Sequence, residues 1–240
     1  MSELNRKIAT ATKWSVVTEL AAKVITPVLN MVLARLLSPE AFGILATVTM
    51  VIAFAEVFVE SGFSKYLIQH KFESDNQEQE YMSVAFWVNI FVSLFLWALI
   101  AIFNEPLAVL VGNPGLGHLL VISGVSIPLY SIVGIQSCKL KKDLNFKKLF
   151  YVRLVSAMVP LFVTVPLALL EFDYWALIIG SIAGISFQAL LLVFIGNFKP
   201  KFTFRKSALK EMLSFGIWTL LNGLAVWLTN WMILYLLGVL

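Results

Sequence analysis

Long apolar stretches separated by short polar connectors dominate this 240-residue chain. A helix needs about 20 mostly apolar residues to cross a hydrocarbon core. Runs of that length cover 14–37, 41–64, 81–103, 116–138, 149–170, 173–196 and 211–238, and they predict about seven transmembrane helices. The first run is too long for a signal peptide, carries Glu19 and Lys23, and lacks a small-x-small cleavage site. It therefore reads as a retained helix. The expected fold is an all-α polytopic membrane protein.

Composition sharpens that reading. Apolar residues make up 60% of the chain and charged residues 13%, against about 45–50% and 25% in soluble domains. Mean hydropathy is +0.88. Such a chain cannot cover its own surface in water, which excludes a soluble domain despite a suitable length.

The connectors set the orientation. Of the 18 Lys and Arg residues, 16 fall in alternate connectors or beside them. They are Arg6, Lys7 and Lys13 before the first helix, then Lys65 and Lys71 after the second. Six more (Lys139, Lys141, Lys142, Lys147, Lys148 and Arg153) surround the turn between helices four and five. Lys199, Lys201, Arg205, Lys206 and Lys210 precede helix seven. The intervening connectors SPEA, NEPLAVLVGNPG and EFDY contain none. By the positive-inside rule the basic side is cytoplasmic, so the N-terminus is inside and seven crossings end outside. These clusters flank membrane spans, where they meet anionic lipid. The net charge of +4 thus carries no indication of a nucleic-acid partner.

Catalytic and metal chemistry have little support. Cys138 is the single cysteine, and His70 and His118 stand far apart beside helix ends. No disulfide framework or metal cluster follows from such a pattern. The chain contains no GxSxG, HExxH or P-loop motif. Asp143 and Asp173 read as solvated loop acids. No cofactor is expected.

Ionisable residues inside a span cost at least ~2.5–3.5 kcal/mol each on insertion scales, so they are candidates for function. Helix one presents Glu19, Lys23, Thr26 and Asn30 at spacings of four, three and four, which is one helical face. Helix two presents Thr49, Glu56 and Glu60 in similar register, with Ala53 between them. At ~1.5 Å rise per residue, Lys23 and Glu56 lie ~21 and ~22 Å from the outer loop, and Glu19 and Glu60 ~27 and ~28 Å. These depths predict a Lys23–Glu56 contact. The bland alternatives are an ion pair that only locks two helices and carboxylates that reach the cytoplasmic headgroups. Arg35 sits one turn from the outer end of helix one and either snorkels or meets an anionic substrate. Arg153, one turn into helix five, reads first as an inside anchor.

Asn89, Asn222 and Asn230 add polar lining, and Trp14 and Trp175 suit the membrane interface. Trp218, Trp227 and Trp231 are candidates for stacking on sugars, with helix packing the stronger reading. Prolines at 27, 128, 160 and 166 fall inside spans, where neighbouring helices can satisfy the freed backbone groups. A weak repeat relates Asn30-MVLAR-Leu36-Leu37 to Asn230-WMILY-Leu236-Leu237. It fits a seventh helix that opens a second copy of a six-helix unit.

The stretch LARLLSPEAFGILATVTMVIAFAEVFVESGFSKYLIQHK at 33–71 resembles the start of bacterial polysaccharide exporters, the O-antigen and teichoic-acid flippases. These belong to the multidrug/oligosaccharidyl-lipid/polysaccharide exporter superfamily. AFWVNI at 85–90, KKDLNFKKL at 141–149, YWALIIGSIAG at 174–184 and FRKSALKEMLSFG at 204–216 continue the likeness in order. The resemblance implies a multi-pass protein of the bacterial inner membrane that flips undecaprenyl-pyrophosphate-linked oligosaccharide for surface polysaccharide, such as the O-antigen of lipopolysaccharide. It also implies two lobes of helices. Residues 1–200 would supply the six-helix N-terminal lobe and residues 201–240 the first helix of the second. The chain then reads as truncated, or as needing a partner that supplies the missing helices. On this resemblance Lys23, Arg35, Asn30 and Arg153 would bind the anionic head group. Glu56, Glu60 and Glu19 would take a coupling proton or sodium ion.

Three rivals stand beside this. A cation-coupled small-molecule exporter of the same superfamily would favour a carboxylate-rich cavity without Lys23 and Arg35. A membrane enzyme such as a polymerase or ligase would need a large outer loop, and the longest here is about a dozen residues. A non-transporting subunit of an envelope assembly would co-purify with a helix-supplying partner.

Overall fold

The computed structural model describes residues 3–59, 62–196, 198–203 and 205–236. Helices form at each of the seven predicted spans, and no strand occurs among the described residues. They are α1 (Glu3–Leu33), α2 (Pro39–Val59), α3 (Phe63–Gln69), α4 (Asp75–Ile102), α5 (Asn104–Leu110), α6 (Gly117–Gly124), α7 (Ser126–Lys142), α8 (Phe146–Leu169), α9 (Tyr174–Ile195) and α10 (Lys206–Leu236). Among the described residues, six helices have the length and apolar content to cross a membrane: α2, α4, the α6–α7 pair, α8, α9 and α10. The 31-residue α1 is long enough, but Glu19, Lys23, Thr26 and Asn30 dilute its apolar run.

Local chemistry explains where the spans and the observed helices differ. Gly62, the residue that precedes α3, adopts φ +82°, a left-handed backbone that suits glycine and breaks the helical run of the second span. The chain restarts as the short α3. The fourth span is broken at Val125, two residues before Ile127 and three before Pro128, which has no N–H to give to the Gly124 carbonyl. Helix α4 starts at Asp75, six residues before the apolar run at 81. Ser74 caps it by accepting the Gln77 N–H at 3.3 Å, and the Gln77 side chain accepts the Glu73 N–H at 2.8 Å. Asp75 and Glu78 in the first turn favour the positive end of the helix dipole.

The chain falls into two compact units, Met1–Phe42 with Gln136–Phe198, and Gly43–Ile135 with Lys199–Leu240. In the first unit, α8 and α9 approach closely through small residues. Gly180 packs on Thr164, and a Cβ on Gly184 would sit 2.9 Å from Pro160 Cγ. Small residues let backbones meet in lipid, where helices gain packing rather than hydrophobic burial. Trp14 of α1 lies against Phe150 and Tyr151 of α8, with ring centroids at 5.1 and 5.8 Å. The Lys147 ammonium stands 5.8 Å from the Trp14 ring. Ser38 accepts the Ala41 N–H at 3.1 Å and donates to Asp173 at 3.1 Å. One serine thus caps α2, with Pro39 in the favoured first position, and ties this turn to the α8–α9 turn.

The second unit is pinned at loops. Glu105 accepts backbone N–H groups from Gly115 and Gly117 at 2.5 and 3.3 Å. Asn113 donates to the Thr47 hydroxyl, and Trp97 Nε1–H donates to the Val121 carbonyl at 2.9 Å. Large apolar side chains stay exposed along the long helices, including Phe91 (74%) and Phe162 (67%). In water this would be untenable; in a bilayer these faces meet lipid.

Candidate functional site

In the second unit, α2, α3 and α10 enclose a cleft of about 480 Å³, within the range of small-molecule sites. Its α10 wall follows from helical spacing. Thr219, Gly223 and Trp227 recur every four residues, and Asn222 and Asn230 run alongside them. Together with Trp231 they form one stripe about 18 Å long at 1.5 Å per residue. Ala53 and Val57 of α2 face this stripe, and Lys65 of α3 stands at its end.

Close packing holds the walls together. A Cβ on Gly62 would lie 2.7 Å from Thr219 Oγ1, and one on Gly223 2.9 Å from Val57 Cγ1. Both glycines are thus required by proximity. Trp227 Nε1–H donates to the Met50 carbonyl at 3.3 Å, and its ring meets Phe54 at 4.9 Å. The indole is anchored at its polar edge while the rest of the ring lines the cleft.

The cleft offers one ammonium, two carboxamides, a hydroxyl and two indoles. Carboxamides donate and accept at once, the ammonium attracts anionic oxygen, and the indoles present broad apolar faces. No described lining residue is a carboxylate. Glu56 follows Ala53 by three positions, on the same side of α2. It is half-buried, and Tyr130 lies within its electrostatic reach.

Where α10 begins, a second polar cluster secures it to α3 and α4. Glu211 accepts hydroxyl hydrogen bonds from Tyr66 at 2.9 Å and Tyr81 at 3.0 Å. Tyr66 stacks on His70 at 4.9 Å and Tyr81 at 6.4 Å, and Phe215 meets its edge at 5.8 Å. Arg205 pairs with Glu80 at 3.0 Å. Burial first, then the hydrogen bond and charge of Glu211, push the Tyr66 hydroxyl well above its ordinary value. It stays a proton donor to this carboxylate.

The sequence-predicted residues are distributed as follows. Asn30 is exposed in the last turn of α1, and Arg35 is exposed in the turn that follows. Arg153 is half-buried in α8. The side chains of Glu19 and Lys23 lie outside the described residues, as does Glu60, so the Lys23–Glu56 contact does too. Asn222, Asn230, Trp227 and Trp231 come together in the cleft, whereas Asn89 is buried in α4. Trp218 is 75% exposed, on the far side of α10 from Trp227. Sequence reasoning missed Lys65, which it took for a topology anchor, and the Tyr66–Tyr81–Glu211 cluster. The Asn222–Asn230 and Trp227–Trp231 spacings of eight and four were the available signal. Among the described residues no group of three or more His, Cys, Asp or Glu side chains could hold a metal.

Comparison with known proteins agrees with the membrane architecture. A family described as polysaccharide biosynthesis protein matches residues 32–240. The succinoglycan biosynthesis transport protein ExoT of Rhizobium meliloti is 29% identical over 80% of this chain and 38% of its own length. The lipopolysaccharide biosynthesis protein WzxC of Escherichia coli is 24% identical over 90% of this chain and 43% of its own. An uncharacterized membrane protein of the Klebsiella pneumoniae cps region is 24% identical over 87% and 42%. The chain therefore spans about two fifths of the length of these relatives. No solved structure matches. With its six apolar helices and membrane-protein relatives, the chain is a multi-pass protein of the bacterial inner membrane.

Proposed function

We propose, since this chain belongs to the polysaccharide biosynthesis protein family, that it acts in polysaccharide export. Its substrate in this reading is undecaprenyl-pyrophosphate-linked oligosaccharide, moved from the cytoplasmic to the periplasmic leaflet. The cleft on α10 carries the reading. Trp227 and Trp231 offer faces for the apolar C–H side of a sugar ring, and Asn222 and Asn230 match its hydroxyls. Lys65, on the side that the basic connectors assign to the cytoplasm, suits a pyrophosphate. A small-molecule exporter coupled to cations would be better served by a carboxylate-lined cavity.

In the same reading, residues 1–200 form the first lobe and residues 201–240 open the second, so the cleft lies where α10 meets α2. Independently of the cleft, the reading keeps Lys23, Arg35, Asn30 and Arg153, all in the first compact unit, as proposed contacts for an anionic head group. Glu56, Glu60 and Glu19 are acceptors for a coupling proton or sodium ion. The role is transport, with the chemistry limited to binding and release.

The test is translocation of a pyrophosphate-linked oligosaccharide in proteoliposomes, comparing the parent chain with Lys23→Ala and Glu56→Ala. Transport by the parent that both substitutions abolish, with folding retained, supports the assignment. A parent chain that binds the oligosaccharide lipid but leaves it in one leaflet would refute transport by this chain alone.

A further inference from the structure

Before α10 begins, the chain runs along α4 as a short strap. Gln79, Ser83 and Trp87 recur every four residues on one face of α4, and each bonds to the strap's backbone. The Gln79 carboxamide donates to the Lys199 carbonyl at 2.5 Å. The buried Ser83 hydroxyl accepts the Lys201 N–H at 3.1 Å, and Trp87 Nε1–H donates to the Lys201 carbonyl at 3.0 Å. That carbonyl also accepts the Thr203 N–H at 2.9 Å, which closes a tight turn with Phe202 at its tip. The chain then comes back, and Arg205 pairs with Glu80 at 3.0 Å, one position from Gln79.

Gln79 and Trp87 lie about 12 Å apart along α4, and the apolar run of this helix begins between them, at 81. The strap therefore dips into the apolar zone and leaves it again. Its backbone fits that place, because α4 supplies hydrogen-bond partners at 199 and 201, as surroundings poor in water demand. So does Phe202, which is 91% exposed and meets Trp87 edge-on at 5.2 Å; that exposure costs free energy in water but not in lipid. Lys199 and Lys201 are exposed beside the tip, and their long stems let the ammonium groups reach back to the level of lipid phosphates. We infer that the strap binds an anionic phospholipid. Lys199 and Lys201 hold its phosphate, while Phe202 and Trp87 meet the first part of its acyl chains, at the depth where aromatic rings are favoured. One basic residue beside an anionic membrane surface contributes about fivefold in affinity, so charge at the head selects the lipid. This lipid is a constituent of the membrane itself, distinct from any cargo in the cleft.

The experiment places a bimane label on Thr203→Cys in the full chain, where Cys138 is buried, and reconstitutes it in phosphatidylcholine nanodiscs. Quenching of the label is titrated with phosphatidylglycerol or phosphatidylcholine, each brominated on its acyl chains. Half-quenching is expected to need about tenfold less of the anionic lipid. Lys201→Ala narrows that gap about fivefold, and Lys199→Ala together with Lys201→Ala removes it. The bonds to α4 use the strap's backbone, so these substitutions keep the fold, which circular dichroism checks. Lys141→Ala with Lys148→Ala removes the same charge from another connector and leaves the gap unchanged. Phe202→Ser weakens quenching by both lipids. Equal quenching by both lipids in the parent, or a gap that survives loss of both strap lysines, overturns the lipid site. Quenching by neither lipid puts the strap in water and overturns it as well. A gap abolished by inorganic phosphate at constant ionic strength would make this a site for a free anion and overturn the lipid assignment.

Discussion

Replacing Trp227 with alanine separates a ligand-binding wall from a packing residue. The indole makes an aromatic contact with Phe54 and one hydrogen bond to the Met50 carbonyl. An aromatic pair is worth ~0.5–1.5 kcal/mol, and a hydrogen bond between membrane helices averages ~0.6 kcal/mol. Trp227→Ala should therefore destabilise by ~1–2 kcal/mol, less than the ~3–5 kcal/mol of a fully buried tryptophan. The difference is the ring face that opens on the cleft. If a sugar stacks there with similar energy, the same substitution weakens binding of a pyrophosphate-linked oligosaccharide by ~2–12-fold. Trp227→Phe keeps a stacking face and lacks the N–H, so it should lose ~0.6 kcal/mol of stability and bind within about twofold of the parent. Trp218→Ala is the control. It lies nine positions away, about two and a half turns, on the opposite face, and is 75% exposed. Binding is read by titration in nanodiscs and stability by thermal unfolding. Equal losses of affinity in Trp218→Ala and Trp227→Ala, or none in either, would refute a cleft that works by stacking.

Three further outcomes follow from the same contacts. Glu211→Ala removes the acceptor for two tyrosine hydroxyls and should cost ~1–3 kcal/mol, with Glu211→Gln intermediate; hydrogen exchange at the start of α10 would rise with unfolding unchanged elsewhere. The Tyr66 hydroxyl is raised in the fold, so its contribution is complete below its ordinary value of 10.0 and is lost as pH rises through the raised value; a pH series should show no change in this contact from 6 to about 9 and weakening only above about 10. Gly180→Val drives a side chain into Thr164 and should cost ~1–3 kcal/mol through overpacking, seen as a lower melting temperature, whereas Ser38→Ala should cost ~0.5–2 kcal/mol for the lost α2 cap.

Much of the architecture was legible in the chain. A bilayer leaves few backbone solutions, so length and apolarity of a run suffice to identify a spanning helix, as 81–103 and 173–196 did for α4 and α9. The ends were less legible. Gly62 and Val125 interrupt runs that are apolar enough on average to read as single spans, because left-handed backbone and a missing proline donor are features of conformation that hydropathy does not register. The candidate site was only half legible. Ionisable residues in spans attract attention by their cost, which directed it to α1 and to Glu56. The carboxamides and indoles of α10 carry no such cost and read as ordinary lining.

The sequence by itself determined that this protein lives in a membrane and which residues share a helical face. Those properties depend on local composition and on the 3.6-residue period alone. Only the tertiary structure decided that the Asn222–Trp231 stripe meets Ala53, Val57 and Lys65 to form a cleft. It also decided that α2 divides this cleft from an apolar groove through Phe54. In lipid nearly every helix face is apolar, so hydropathy cannot select the partner of each face; close contacts at residues such as Gly62 and Gly223 do.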